Sequence, residues 1–152
     1  MSVSIELIKT LRDETGVSIG KCKQALEESN GDMDEARKVL AAYSESAIAK
    51  KADRELGAGI IASYIHSSKI IGSMIELNCE TDYVAKNDDF VTLANDLAIH
   101  ITAMDSKLET IMDEDYVKNP EKKISDLIAG VTQKLGERIQ IGKIARFQVL
   151  GE

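Results

Sequence analysis

Two β-rich runs, Ile60 to His66 and Ile70 to Leu77, are separated only by Ser67-Ser68-Lys69. Their β-branched content and so short a polar connection predict an antiparallel hairpin. A helical pattern follows at once. Phe90, Ala94, Leu97, Ala98, Ile101 and Met104 recur at helical spacing between Asp88 and Met104, with Asn87 or Asp88 as the cap. That stripe is expected to cover one face of the sheet.

Ile139 to Leu150 reads as a last strand, with Ile139, Ile141, Ala145, Phe147 and Val149 at period two. Lys143 interrupts that face, which suggests an edge strand or a bulge there. Between lies an acidic connection, residues 105–118, with a short helical turn expected at Leu108 to Met112. Asn119-Pro120-Glu121 reads as a helix start with proline at the first helical position. Ile124, Leu127, Ile128, Val131 and Leu135 form the stripe of that helix, and Gly136 ends it.

The first part of the chain has a different period. Ser4, Ser18 and Asp32 can cap three short helices with stripes Leu7-Ile8-Leu11, Ile19-Cys22-Ala25-Leu26 and Ala36-Val39-Leu40-Tyr43. Thr15-Gly16 and Asn30-Gly31 are stop signals. Glu35 stands three residues after Asp32, a capping-box spacing. Three stripes this short bury one another only as a bundle. The expected domains are therefore residues 1–43, a three-helix bundle; 44–57, a solvated helical linker; and 58–152, an α+β core. In that core a small antiparallel three-stranded sheet packs against helices. The helices can cover only one face of such a sheet, so a second copy or a partner should cover the other.

The chemistry of catalysis is missing. There is no phosphate-cradling glycine loop and no nucleophile elbow. His66 and His100 read as packed or surface residues. Cys79 lies among carboxylates, which raise a thiol pKa and disfavour a nucleophile. Cys22 and Cys79 are too few and too far apart for a disulfide scaffold, and metal-ligand spacing is absent. No cofactor is expected. The net charge is −7, without a dense basic run, so no direct nucleic-acid contact is expected. No apolar run approaches the roughly 20 residues of a membrane span, and a cytoplasmic protein is the simplest expectation.

A protein that acts by binding remains, and the junction Cys79-Glu80-Thr81-Asp82-Tyr83-Val84-Ala85-Lys86-Asn87 is where binding residues collect. Tyr83 can be an anchor displayed for a partner's pocket. Alternatively, Tyr83 packs on its own sheet and Asp82 helps to cap the helix.

Thr81 to Asn87 resembles the signature loop of the elongation factor Ts family, where the aromatic is more often phenylalanine. Glu76 to Glu80 resembles it too, as do Leu11-Arg12, Thr15-Gly16, Cys22-Lys23, Ala25-Leu26 and Gly31-Asp32. The C-terminal Gly136-Glu137 and Arg146-Phe147 follow in the family's order. The resemblance implies an N-terminal bundle of the ubiquitin-associated type. It implies guanine-nucleotide exchange on elongation factor Tu, by insertion of residues 81–87 near the magnesium and phosphate sites. Tyr83 would then be the wedge and Asp82 its polar companion. Lys23 and Leu135-Gly136 match further contact positions, with Thr81, Arg12 and Gly16 as secondary ones.

The chain is short for that family, with one core subdomain and an acidic, compact stretch at 105–120. Short members dimerise, so a homodimer is expected. The competing class is a non-catalytic ubiquitin-like or scaffold binding module, resting on the N-terminal bundle alone.

Overall fold

Helix starts in the first third of the chain follow from three side chains. In a computed structural model, which describes residues 2–151, Ser4 accepts from the Glu6 N–H (3.2 Å) and opens α1, Ile5–Thr15. Ser18 accepts from Lys21 N–H and opens α2, Ile19–Glu28. Asp32 accepts from Glu35 N–H (3.0 Å) and opens α3, Met33–Lys51. Only this half of the capping box forms, because the Glu35 carboxylate pairs with Lys38 instead (2.7 Å).

The third helix does not stop near residue 43. No glycine or proline interrupts 44–51, so α3 continues through the alanine-rich segment. Ile8, Leu11, Val17, Cys22, Ala25, Leu26, Ala36 and Leu40 form a buried cluster, with Leu7, Met33, Val39 and Tyr43 against it. Ile19, expected in that stripe, is 52% exposed. At the end of α2's first turn Cys22 takes the inward direction, and Ile19 lies on the outer side.

The chain divides into two compact units. One holds the chain up to Asp53 with Ala129–Gly136; the other holds Arg54–Ile128 and the chain from Glu137 on. In the first, Gly16 ends α1 at φ 70°, the left-handed conformation that favours glycine, and its N–H donates to Arg12 O (2.7 Å). A Cβ there would meet the Lys134 stem at 3.4 Å.

In the second unit the expected hairpin forms. β1, Ala58–Ile65, pairs antiparallel with β2, Ile71–Cys79. Next come a single helical turn, α4 (Asp82–Ala85), and α5, Asp88–Met104, capped by Asn87. The last strand, Gln140–Gln148, pairs with β2 on its other edge, giving an antiparallel sheet with β2 in the centre. The fold class is α+β.

Phe90, Leu93, Ala94, Leu97, Ala98 and Ile101 of α5 are buried, together with Ala62, Ile75, Leu77 and Cys79 from the sheet. Met104, expected in the stripe, is exposed because Asp105 ends α5 in a left-handed cap at φ 50°. The buried hydroxyls in this core are satisfied. Ser73 donates to Ala98 O (2.6 Å), and Thr102 donates to Ser73 Oγ (2.8 Å).

The stretch 105–123 departs from expectation. The short helical turn is a 3₁₀ turn at Ile111–Asp113. Asn119-Pro120-Glu121 does not start a helix: β3, Asp115–Tyr116, and β4, Asn119–Lys123, make a two-stranded ribbon. Proline fits this short strand because it has no N–H to leave unpaired. α6 begins instead at Ile124 and runs to Leu135. Asp126 reaches back to accept from Lys123 N–H (2.8 Å), which satisfies the cap. The last strand is therefore β5. His100, fully buried, anchors the ribbon. Its Nδ1 accepts from Val117 N–H (3.2 Å), so Nε2 carries the proton and donates to Glu114 Oε1 (2.8 Å).

β5 carries a bulge. The register slips by one residue between Ile75/Ile144 and Leu77/Ile141, so Gly142 and Lys143 together oppose Glu76. The bulge swaps faces, which corrects the expected period-two stripe. Ile139 and Ile141 are buried before it. After it Ile144 and Arg146 turn inward, while Ala145 and Phe147 turn outward with Val149 exposed beyond. The outer face then shows Ile61, Ile65, Met74 and Phe147, each at least half exposed. Gly72 stands in its middle; a Cβ there would lie 2.6 Å from Ile65 Cδ1.

The Phe90 ring, fully buried between α5 and the sheet, sets the stability of this unit. Replacing it by alanine should cost about 3–5 kcal/mol in urea denaturation. A loss below about 1 kcal/mol would show that the ring is not packed in the core.

Candidate functional site

β2 ends at Cys79 and the next backbone amides leave the sheet. Thr81 adopts an extended backbone and its Oγ1 accepts from Val84 N–H (3.4 Å), so Thr81, not Asp82, caps α4. One helical turn advances about 100° per residue, which separates neighbours onto different sides. Val84 and Ala85 face inward and are buried. Asp82 and Tyr83 face outward, and Tyr83 is 84% exposed. The reading in which Tyr83 packs on its own sheet is thereby excluded. A large ring left in water on a folded turn is an unusual placement.

The turn is held at both ends. Glu137 Oε1 accepts from Glu80 N–H (3.1 Å) and Thr81 N–H (3.0 Å), and its Oε2 accepts from Thr81 Oγ1 (2.7 Å). Glu80 Oε2 in turn accepts from Arg138 N–H (2.5 Å) and pairs with Arg54 (3.5 Å). The Arg138 guanidinium donates to Arg54 O (2.7 Å). Beyond the turn, Asn87 N–H donates to Val84 O (3.0 Å), and Asn87 Oδ1 accepts from Asp89 N–H (2.8 Å).

Cys79 is fully buried and donates to Thr81 O (3.2 Å). Burial pushes its thiol pKa up, and the charges of Glu137, Asp82 and Glu80 push it further. The thiol is thus held protonated, which fits a packing role. Among the described residues no group of three or more His, Cys, Asp or Glu is placed to hold a metal ion, and no helix is long and apolar enough to cross a membrane.

The remaining expected positions lie in the first unit, apart from Thr81, Asp82 and Tyr83. Lys23 is exposed on α2, with Glu27 at 3.8 Å. Arg12 is on α1 and pairs with Asp13 (3.0 Å). Gly16 packs on the Lys134 stem, beside the α6 terminus where Leu135 is half-buried and Gly136 stands at φ 76°. Gly16, Leu135 and Gly136 are therefore gathered at one end of that unit.

Sequence reasoning missed the bracing by Glu80, Arg138, Arg54 and Glu137. Their partners are up to 84 residues apart in sequence, beyond any periodic signal.

A family profile described as "Elongation factor TS" matches residues 80–152. Elongation factor Ts of Thermosipho melanesiensis is 43% identical over 151 residues, covering 95% of this chain and 76% of that protein. Elongation factor Ts of Thermodesulfovibrio yellowstonii is 36% identical over 194 residues, covering 98% of this chain and 97% of that protein. The chain belongs to the elongation factor Ts family. It is a short member beside the second relative: 194 aligned positions against 152 residues leave at least 42 without a counterpart here. The elongation factor Ts assignment carries with it a role in translation elongation.

Both cysteines are buried, and burial raises the Cys22 pKa as well. In the folded protein both should react with iodoacetamide far more slowly at about pH 8 than after unfolding in urea. Fast labelling of Cys79 in the folded protein would contradict its place under the turn.

Proposed function

We propose that this chain is a guanine-nucleotide exchange factor for elongation factor Tu, acting in the cytoplasm by binding alone. The observation that carries this is Tyr83: a ring 84% exposed on a turn fastened at both ends. Such a ring can enter a partner's pocket with little ordering left to do. Inserted near the magnesium and phosphate sites, it would displace groups that hold the nucleotide. Asp82, exposed beside it, would contact polar groups at the pocket rim.

The thermodynamics require no acid or base. An exchange factor binds the nucleotide-free GTPase more tightly than the nucleotide-bound form. Nucleotide then weakens the factor's binding by the same ratio. A wedge that competes with the magnesium site supplies the difference, and excess GTP sets the direction. Lys23 and Leu135-Gly136 would make further contacts. Thr81, through its cap, and Gly16, through its left-handed stop, support the neighbouring surfaces, with Arg12 on the last turn of α1.

The test is release of a fluorescent GDP analogue from elongation factor Tu. The intact protein should accelerate it strongly. Tyr83→Ala should lose about 2 kcal/mol of that effect, roughly 30-fold, as for an aromatic anchor. Its folding stability should stay within about 0.5 kcal/mol, since the ring is exposed. Wild-type acceleration by the variant would move the mechanism to Lys23 and Leu135-Gly136. Capture of ubiquitin and not of the GTPase would favour the scaffold reading.

The same proposal includes a homodimer. The outer sheet face joins Ile61, Ile65, Met74 and Phe147, with Glu76 opposite Ile61 at the bulged end of the face. A two-fold pairing of that face with its copy would remove all four from water. Phe147→Glu should then weaken self-association at least about tenfold in sedimentation equilibrium. A wild-type protein that stays monomeric at high micromolar concentration would rule the dimer out.

A further inference from the structure

We propose that Glu137 is a positioning residue for Tyr83, a claim that rests on the exchange reading above. Glu80 and Thr81 lie past the last sheet residue of β2 and before the first helical residue of α4. Their N–H groups therefore belong to neither hydrogen-bonding ladder, and the Glu137 carboxylate takes both at once. Its second oxygen takes the Thr81 hydroxyl. Bonds from N–H and O–H donors to an ionised carboxylate are stronger than neutral ones.

The third bond matters most for Tyr83. The same Thr81 Oγ1 that donates to Glu137 accepts from Val84 N–H. Glu137 thus fixes the rotamer of the capping side chain, and the cap fixes where the helical turn begins. Tyr83 sits inside that loop of bonds, between Thr81 and Val84. Its ring is 84% exposed, so the backbone beneath it is what chiefly sets its direction. The clamp is reciprocal, since Glu80 holds Arg138 N–H one residue beyond Glu137. The Glu137 carboxylate is spent on Glu80 and Thr81, so it acts on the ring through the turn.

Two variants and one double variant test this. In Glu137→Ala, maximal GDP release should fall about tenfold, within the roughly 30-fold that removal of the ring would cost, while the half-saturating concentration changes much less. Glu137→Gln keeps an acceptor for both N–H groups and should fall between wild type and alanine. The decisive comparison is in the Tyr83→Ala background, where Glu137→Ala should cause no further loss. Losses that multiply would overturn the proposal, because a general structural role acts independently of the ring. A second readout needs no GTPase. Thr81 amide hydrogen exchange should speed about tenfold in Glu137→Ala, with amides of α5 unchanged. Unchanged Thr81 protection would overturn the positioning role. Absence of exchange activity in the wild-type protein would instead overturn the function proposed above, with the amide measurement still deciding on Glu137.

Discussion

β2 is the strand on which the second unit depends. It is paired along both edges, by β1 and β5, and carries buried Ser73, Ile75, Leu77 and Cys79 toward α5. Its last residue also sets the starting point of the exposed turn. Because side chains alternate at period two, an inward Cys79 fixes the phase with which the chain leaves the sheet. Val84 and Ala85 can then return to the core only if Asp82 and Tyr83 point away from it. The display of Tyr83 is thus a consequence of sheet phase plus one helical turn.

The two faces of the sheet have different demands. On the inner face, Ser73 and Thr102 bring hydroxyls into an apolar seam, and each is satisfied through Ala98 O or the other hydroxyl. On the outer face the bulge at Gly142-Lys143 turns Phe147 out and Arg146 in. Arg146 then donates to Thr102 O at the end of α5 (3.1 Å) and lies 3.6 Å from Asp105. One inserted residue therefore secures the helix end and enlarges the apolar outer surface together. Without the bulge, Arg146 would share the outer face with Met74 and place a charge in the apolar part of that face, away from Glu76 at its bulged end.

How much of this was legible follows from the range of each interaction. The hairpin, α5 and its Asn87 cap, and the irregularity at Lys143 were readable because their signals lie within a few residues. The sign of the bulge was not: Lys143 shows that the pattern breaks, but the pairing with Glu76 decides which later residues change face. Pro120 misled for a related reason. Proline suits the first turn of a helix and an unpaired strand position equally, and only the pairing of Asp115 with Lys123 selects the strand. At the site, the junction and its aromatic are visible in the sequence, but not whether the ring is displayed or packed, and the carboxylate holding the junction comes from 56 residues away. No local pattern encodes that distance.

The bracing bears on why so small a turn could serve a binding mechanism. An isolated helical turn has almost no stability of its own, since nucleation fixes several residues for one hydrogen bond. α4 has four residues, so its order must come from outside. Val84 and Ala85 supply part by burial, and Glu137 supplies acceptors to the donors that precede the turn. Ordering completed in the free protein does not have to be met on binding, and the ring's contact energy is then available to separate one state of a partner from another. A mobile Tyr83 would contact both states of a GTPase by adjusting to each, and equal contact shifts no equilibrium. Rigidity beneath an exposed ring is therefore the property that the proposed wedge would require.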